Sequence, residues 1–266
     1  MEKIMLKDKI VVITGGAGLI VKEFVKDIVE SNGIAIIADI NEDFANKTIE
    51  RISKELEEKN CDISSKILFF NIDISSKKSI KTLIENLHKE FGKIDALVNN
   101  AYPRSRNYGK KFFEIEMEDF NEFLNLHLGG YFNISQHFIK YFLEQKYGNI
   151  INISSIQGIG APAFETYEGT SMHSPVEYTV VKHGLLGMTK YMAKMFKKDN
   201  IRVNAISPGG ILDNQPEIFL EQYKKRCGTK GMLDSKDLTG ALVYLLSDSS
   251  NYVNGQNIVV DDGFSL

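Results

Sequence analysis

The sequence predicts an α/β fold built on a doubly wound parallel sheet of about seven strands with helices on both faces. Short, nearly all-apolar β-branched runs recur along the chain, and such runs are typical of strands buried on both faces. Amphipathic helical segments alternate with them, without repeats or a low-complexity linker. Right-handed crossovers between parallel strands then place helices on both faces. At 266 residues the chain fits one such domain, predicted over residues 1–266.

The elements follow in order along the chain. The predicted strands are residues 9–13, 34–38, 67–70, 95–98, 149–153, 201–206 and 257–260, each a short run of mainly apolar residues. The first predicted helix has Ile20, Phe24 and Ile28 at i+4 spacing and stops at Asn32-Gly33. The other predicted helices are residues 42–58, 76–91, 118–144, 177–197 and 235–246.

Composition narrows the classes of partner. Net charge is −3 and no block of like charge occurs, so no nucleic-acid partner is expected. The start of the chain is too charged for a signal peptide, and no apolar run reaches membrane-spanning length. We therefore expect a cytoplasmic protein that does not engage a membrane. Cys61 and Cys227 lie far apart and fit no metal-binding spacing, so they are interpreted as cytosolic thiols and no metal site is expected.

The first predicted strand runs into a glycine-rich turn at residues 14–18, and a helix follows it. Glycine allows a tight turn and a close approach of backbone N–H groups to a pyrophosphate, and the helix N-terminus adds positive potential. Asp39 closes the second strand, where a carboxylate accepts hydrogen bonds from an adenosine ribose and repels a 2′-phosphate. No Arg or Lys lies in the turn or beside Asp39. The combination predicts a Rossmann-like dinucleotide site that prefers NAD over NADP.

One position departs from the glycine pattern. Val21 stands where the last glycine of a Gly-x-x-Gly-x-x-Gly run would lie, and that glycine lets the helix pack closely on the strand. A valine there is expected to push the helix outward or to weaken cofactor binding. We therefore predict that Val21→Gly tightens NAD binding.

A phenol and an ammonium group, Tyr178 and Lys182, lie four residues apart and hence on one face of the predicted helix over residues 177–197. Such a pair arises by chance in many helices. Two hydroxyls, Ser154 and Ser155, end the preceding strand, and they could equally form an ordinary polar strand end.

Taken together, these motifs resemble the short-chain dehydrogenase/reductase family over nearly the whole chain. The matching motifs are Thr14-Gly15-x-x-Gly18, Asp39, Asp73-Ile74, Asn99-Asn100-Ala101, Ile153-Ser154-Ser155, Tyr178-x-x-x-Lys182, Arg202-Val203-Asn204, Pro208-Gly209 and Val260-Asp261-Asp262-Gly263. In detail, residues 99–104 and 127–132 look like the oxidoreductases of bacterial flagellin-glycan biosynthesis, the legionaminic-type sugar pathways.

The resemblance implies catalytic roles. Tyr178 would be the general acid/base, and Lys182 would hold the nicotinamide ribose. A free phenol has a pKa near 10, so the charges of Lys182 and the nicotinamide would be needed to lower it. Ser155 would bind the substrate oxygen, with Ser154 as the alternative. The residues implied to hold the cofactor are Thr14, Gly15, Gly18, Leu19, Ile20, Asp39, Asp73, Ile74, Asn99, Ala101, Tyr178, Lys182, Pro208, Gly209 and Ile211, with Ile206 also flanking the nicotinamide.

Two further residues differ from the family pattern. Tyr102 replaces a glycine after Asn99-Asn100-Ala101, and His127 replaces an asparagine that holds a water in a proton relay to the lysine. A histidine could do the same work near neutral pH. It could equally be a packed helix residue, and the sequence leaves both interpretations open.

Three irregular segments, about 102–114, 158–175 and 208–231, follow strand ends and are the predicted substrate loops. The stretch from Ser155 to Tyr178 exceeds the family's spacing by about ten residues, and we expect it to roof the active site. Tyr167 fits the ordinary spacing, but Ser171 stands four residues beyond it, so Tyr178 is the better candidate. The first loop is basic, and an Arg near the cleft would suit a phosphate or carboxylate.

The function expected from these residues and this resemblance is NAD-dependent hydride transfer between nicotinamide and a secondary alcohol or ketone, on a small sugar or amino-sugar derivative that could be anionic. The alternatives are a binding or regulatory protein with weakened chemistry, and a dehydratase or epimerase that retains NAD. The resemblance also implies a homodimer or homotetramer formed through the two long helices. The apolar residues that could support this contact, or could be ordinary core, are Phe138, Phe142, Leu186 and Met195.

Overall fold

The computed structural model describes residues 6–16, 18–59 and 66–266. The predictions at Ala17 of the glycine turn and at Cys61 lie outside the described residues. The strands within these ranges are β1 (Ile10–Thr14), β2 (Ile34–Asp39), β3 (Ile67–Asn71), β4 (Ala96–Asn99), β5 (Gly148–Ile153), β6 (Ile201–Pro208) and β7 (Asn257–Val260). They form one parallel sheet in the order β3-β2-β1-β4-β5-β6-β7.

Helices cover both faces of this sheet. The α-helices in the same ranges are α1 (Leu19–Glu30), α2 (Glu42–Glu57), α3 (Lys77–Phe91), α4 (Met117–Leu124), α5 (Gly130–Gln145), α6 (Val176–Met195), α7 (Glu217–Lys224) and α8 (Thr239–Leu246). Alternate strand residues point to opposite faces. Val11 and Ile13 accordingly pack with α1, α2 and α8, whereas Ile10 and Val12 pack with α3, α5 and α6. The predicted doubly wound parallel sheet is confirmed.

The strand order reverses between β1 and β4, which are neighbours in the sheet although β2 and β3 separate them in the chain. At such a switch point the loops that follow the two strands diverge and leave a crevice outside the carboxyl ends. The glycine turn follows β1, and Asn100 follows β4. The fold therefore places both at the edge where the site lies.

The structure differs from the sequence prediction in three places. The helix predicted over residues 118–144 is interrupted by a π-helical turn at Asn125–Gly129. The helix predicted from residue 235 begins with a 3₁₀ turn, Ser235–Leu238. The loop predicted over residues 208–231 contains α7, whose Phe219 and Tyr223 pack with Phe264. Eight residues give too few turns for a clear helical periodicity, so α7 depends on this packing.

The apolar residues of α5 suggested for subunit contacts are core residues. Phe138 and Phe142 are fully buried against the sheet, so they cannot form a subunit contact. On α6 the outcome is mixed, because Met195 is 59% exposed and Leu186 is half-buried.

No helix in the part of the chain that the structure describes has both the length and the apolar character needed to cross a membrane.

Candidate active site

A cavity of about 850 Å³ opens at the carboxyl ends of the strands. Residues from the glycine turn, from the ends of β4 to β6 and from the predicted substrate loops line it together. Those that the sequence singled out are Gly18, Leu19, Ile20, Asn100, Tyr102, Arg104, Ser154, Ser155, Tyr167, Tyr178, Lys182, Pro208, Gly209 and Ile211. The tertiary structure thus brings the predicted catalytic side chains and much of the predicted cofactor site into one cavity.

The centre of the cavity is formed by α6. Tyr178 and Lys182 lie one turn apart on it, with the Lys182 Nζ 5.4 Å from the centroid of the Tyr178 ring. The same Nζ donates a hydrogen bond to the backbone carbonyl of Ile153 at 3.0 Å. The end of β5 therefore fixes the ammonium group beside the phenol.

The two serines at the end of β5 have different environments. The Ser154 hydroxyl donates to the Lys182 backbone carbonyl at 2.9 Å, so it ties β5 to α6. The Ser155 Oγ accepts a hydrogen bond from the Gln157 N–H at 3.1 Å, which leaves its own proton free to donate. Ser155 also lies close enough to Tyr178 to lower the pKa of the phenol. Of the two hydroxyls, Ser155 is therefore the one placed to bind a substrate oxygen.

Burial perturbs both titrating groups. It lowers the pKa of Lys182 from 10.5 to about 7. Burial raises the pKa of Tyr178, and the smaller effect of Ser155 lowers it. A buried ammonium and a buried phenolate both lose hydration, so each is disfavoured unless an opposite charge is near. Near neutral pH, Lys182 is consequently close to its own titration midpoint.

Thr14 joins the ends of β1 and β4. Its fully buried hydroxyl accepts the backbone N–H groups of Asn100 and Ala101, both at 3.1 Å, and donates to the Val98 carbonyl at 3.4 Å. Gly15 has φ +82°, and a Cβ there would lie 2.6 Å from the Cα of Ala101. Only glycine fits this approach, so the turn is fixed against the end of β4.

The residues at the start of α1 fit a dinucleotide phosphate. Gly18 is the N-cap of α1. Among the described residues, no side chain caps this helix and no acidic residue occupies its first turn. Gly18, Leu19 and Ile20 all line the cavity, so this end of α1 faces it. Unsatisfied N–H groups at a helix N-terminus bind anions.

Val21 lies on the inner side of α1 and is fully buried in the core cluster that includes Val11 and Ile13. The Val21 side chain fills space in this cluster that would be empty if the residue were glycine.

Two carboxylates lie at or just beyond the ends of β2 and β3. Asp39 ends β2 and accepts the Asn41 N–H at 2.8 Å. Asp73 follows β3, and its Oδ1 accepts both the N–H and the hydroxyl of Ser75, at 2.8 and 2.6 Å. Ile74 packs on Gly130, and its carbonyl accepts from the Asn133 amide at 2.8 Å. These residues hold the positions at the ends of β2 and β3 that the sequence predicted.

The two asparagines at the end of β4, Asn99 within the strand and Asn100 after it, have different environments. Asn99 is fully buried and donates to the Ser135 hydroxyl and to the Asn152 side chain, both at 2.9 Å. Asn100 lines the cavity. The sequence analysis named Asn99 and Ala101 as residues that face the cofactor. Successive side chains at a strand end point to opposite sides, and this alternation is the signal that distinguishes Asn99 from Asn100.

Tyr102 and His127, the two residues that differ from the family pattern, contact each other. They belong to an aromatic cluster formed by Tyr102, Tyr108, Phe123, His127 and Tyr131. His127 lies in the π-helical turn and is fully buried, with its ring centroid 5.2 Å from that of Tyr102. Burial, with the charge of Lys182 as a second cause, keeps the pKa of His127 well below its usual range. The imidazole is thus neutral and packed, and its relay role stays a prediction.

The insertion before Tyr178 forms much of the cavity wall. Its 3₁₀ turns, Ile156–Gly158 and Phe164–Tyr167, both contribute lining residues. The Gln157 side chain accepts hydrogen bonds from Ser174 at 2.9 Å and Thr179 at 2.8 Å, which fastens the insertion to α6. Tyr167 packs against Phe219 of α7, with ring centroids 5.1 Å apart. Sequence reasoning missed Gln157 and Phe219, because only the folded chain brings them to the cavity.

Comparisons with known proteins agree with this geometry. A family model described as "Enoyl-(Acyl carrier protein) reductase" matches residues 20–265. "Post-translational flagellin modification protein A" of Campylobacter coli is 46% identical over 263 residues, 98% of this chain and 100% of that protein. "7alpha-hydroxysteroid dehydrogenase" of Bacteroides fragilis is 32% identical over 265 residues, 98% of this chain and 95% of that protein. A short chain dehydrogenase from Leptospira borgpetersenii, solved with bound NAD+, is 30% identical with a TM-score of 0.83, covering 99% of this chain and 94% of that one.

Proposed function

Because the chain belongs to the short-chain dehydrogenase/reductase family, we propose that it is an NAD-dependent enzyme acting on a sugar or amino-sugar derivative. Its reaction would move a hydride between nicotinamide and a secondary alcohol or ketone of that substrate. One observation carries the proposal: Ser155, Tyr178 and Lys182 meet in a cavity whose other wall is the open N-terminus of α1.

The chain's own residues have defined roles in this reaction. Tyr178 takes the proton of the substrate hydroxyl during oxidation, or returns it to the oxygen during reduction. Ser155 donates the proton of its hydroxyl in a hydrogen bond to the same oxygen, while its Oγ accepts from the Gln157 N–H. When Lys182 is protonated, its ammonium group stabilises the phenolate form of Tyr178. The Lys182 Nζ lies 5.4 Å from the centroid of the Tyr178 ring. The cofactor, when bound, supplies the site that accepts or donates the hydride.

Two observations support NAD as the cofactor. Asp39 places a carboxylate at the end of β2, where it would accept ribose hydroxyls and repel a 2′-phosphate. The Leptospira relative was solved with NAD+.

The polar groups of the cavity wall support a sugar-like substrate, and the relative named for flagellin modification agrees with the flagellin-modification resemblance of the sequence. The side chains of Gln157, His173 and Ser174 line the wall near Tyr178, and all can bind hydroxyl groups.

We further propose a homo-oligomer that pairs through α5 and α6. Phe132 on α5 is 53% exposed, and Tyr191 and Met195 on α6 are 68% and 59% exposed. Exposed apolar side chains on two helices of the same sheet face favour burial in a subunit contact. Light scattering that shows a monomer at micromolar concentration would contradict this proposal.

The function is tested by titrating the protein with NAD and NADP and then following NADH formation over a panel of amino-sugar phosphates and nucleotide sugars. NAD binding together with net NADH release supports the proposal. Substrate conversion without NADH release indicates a dehydratase or epimerase, and absence of cofactor binding indicates a binding or regulatory protein.

A further inference from the structure

We propose that Arg104 is a specificity-determining residue that binds an anionic group of the substrate, a phosphate or a carboxylate, away from the reacting carbon. The inference rests on the proposed function, since it concerns the substrate of that same site. Arg104 lines the cavity, whereas Arg106, two residues on, does not contribute to the lining. The structure therefore distinguishes two arginines that the sequence left equivalent.

The guanidinium group is held over two rings. Its Cζ lies 5.1 Å from the centroid of the Tyr102 ring and 5.8 Å from that of the Tyr108 ring. The Tyr102 hydroxyl donates to the Tyr108 hydroxyl, which joins the two rings. A guanidinium held above aromatic rings keeps its N–H groups available for a planar, bidentate contact with an oxyanion.

Tyr102 also links Arg104 to the chemistry. Its ring meets the Tyr178 ring edge-to-face, with centroids 5.7 Å apart. One aromatic ring thus separates the guanidinium from the catalytic phenol. A substrate whose alcohol or ketone reaches Tyr178 can place an anionic group attached to another of its carbons against Arg104.

The loop that carries Arg104 is fixed at Gly109 and Lys110 to α6, to the segment before α6 and to α4. The Gly109 N–H donates to the Glu177 carboxylate at 3.4 Å, and the Gly109 carbonyl accepts from the His173 Nε2 at 2.8 Å. The Lys110 ammonium pairs with Asp119 at 2.6 Å. Since Glu177 directly precedes Tyr178, these contacts hold the loop and the catalytic residue in register.

The charges around Arg104 leave it available. Among the described residues no carboxylate lies within ion-pair distance of its guanidinium. Of the carboxylates that line the cavity, Glu165 is paired with Arg226, and Asp213 accepts a hydrogen bond from Asn214. An arginine without a counter-ion at a cavity wall is suited to an anionic ligand.

The test compares Arg104→Met, Arg104→Lys and the matched control Arg106→Met in the NAD+-loaded protein. Calorimetry measures binding of three probes: glucose 6-phosphate, glucuronate and neutral glucose. We expect the protein to bind one of the two anionic probes more tightly than glucose, and the identity of that probe distinguishes phosphate from carboxylate. Arg104→Met should weaken its binding by about tenfold or more, Arg104→Lys by less, and Arg106→Met by under about twofold.

Two outcomes overturn the inference: anionic probes that bind no more tightly than glucose, or equal losses in Arg104→Met and Arg106→Met. Failure of the proposed function has a different signature. NAD+ binding and NADH release are measured separately, so Arg104-dependent anion binding without hydride transfer removes the function and keeps the inference. Hydride transfer without Arg104-dependent anion binding removes the inference and keeps the proposed function.

Discussion

The ring of Tyr102 stands perpendicular to the ring of Tyr178, with the centroids 5.7 Å apart and an interplanar angle of 90°. A side chain at a position that is glycine in the family pattern thus contacts the phenol ring of Tyr178. Tyr102 also contacts His127, the other replaced residue, at 5.2 Å between ring centroids. The two departures from the family pattern belong to one aromatic cluster rather than to independent losses.

Removing the phenol hydroxyl in Tyr178→Phe should leave NAD binding intact and reduce kcat by about 10²–10⁴-fold, the usual contribution of general acid/base catalysis. Turnover with the true substrate and NAD titration check this pair of results. As a control, Tyr167→Phe changes the tyrosine that fits the family's ordinary spacing and should retain most of the activity. A Tyr178→Phe variant with normal kcat would defeat the assignment.

Truncating Tyr102 should destabilise the protein and slow catalysis. Tyr102→Phe loses the hydrogen bond to Tyr108, at a cost of about 1 kcal/mol in the free energy of unfolding. Tyr102→Ala also removes the ring contacts with Tyr178 and His127, and a loss of about 3 kcal/mol is expected. The free energy of unfolding, measured by urea denaturation, and kcat should both be highest in wild type, lower in Tyr102→Phe and lowest in Tyr102→Ala. Equal behaviour of the two variants would show that the ring contacts contribute nothing.

Lys182 should make stability depend on pH. Burial lowers its pKa from 10.5 to about 7, so between these values the unfolded chain binds a proton that the folded chain lacks. The free energy of unfolding therefore rises with pH in this window. From about pH 7 to about pH 9, wild type should gain about 2 kcal/mol relative to Lys182→Met, as measured by urea denaturation.

The upper limit of that window is set by other groups. Burial raises the pKa of Cys227 to about 11, and it also raises the pKa of Tyr102 and Tyr223. Folded chains then hold protons that unfolded chains release, so stability falls above about pH 9. The difference between wild type and Lys182→Met removes these shared contributions. A difference that stays constant from pH 7 to 9 would contradict a buried, shifted Lys182.

Asp39 should select the cofactor. Asp39→Asn keeps the size of the side chain but removes the charge that repels a 2′-phosphate, so the ratio of NAD to NADP affinity should fall by about tenfold. Asp43→Asn is the matched control, because Asp43 is an exposed residue in the first turn of α2. Calorimetry with both cofactors measures the ratio for each variant. An equal change in both variants would indicate a general charge effect instead of a local contact.

Val21→Gly combines two effects. The sequence predicts tighter NAD binding, whereas the buried position of Val21 predicts a stability loss of about 3 kcal/mol from the lost packing and the helical glycine. Val21→Ala separates the two, since it shortens the side chain without adding a glycine. Urea denaturation with and without NAD reports stability, and calorimetry on the folded variants reports affinity. Unchanged affinity in both variants would remove the argument about the missing glycine.

The sequence by itself determined the sheet, its alternation with helices and the Tyr178–Lys182 pair. Strands buried on both faces must be apolar runs, and residues four apart on a helix share a face whatever surrounds them. Both signals are local, so they can be read from neighbouring residues.

Tertiary structure decided which member of several equivalent pairs has its side chain available to a ligand in the cavity. Ser155 and Ser154, Asn100 and Asn99, and Arg104 and Arg106 are pairs that composition and spacing leave alike. Their difference depends on partners far away in the chain: Lys182 binds Ser154, and Ser135 binds Asn99. A side chain's direction at a strand end or in a loop is set by long-range packing, and no short stretch of sequence contains that information.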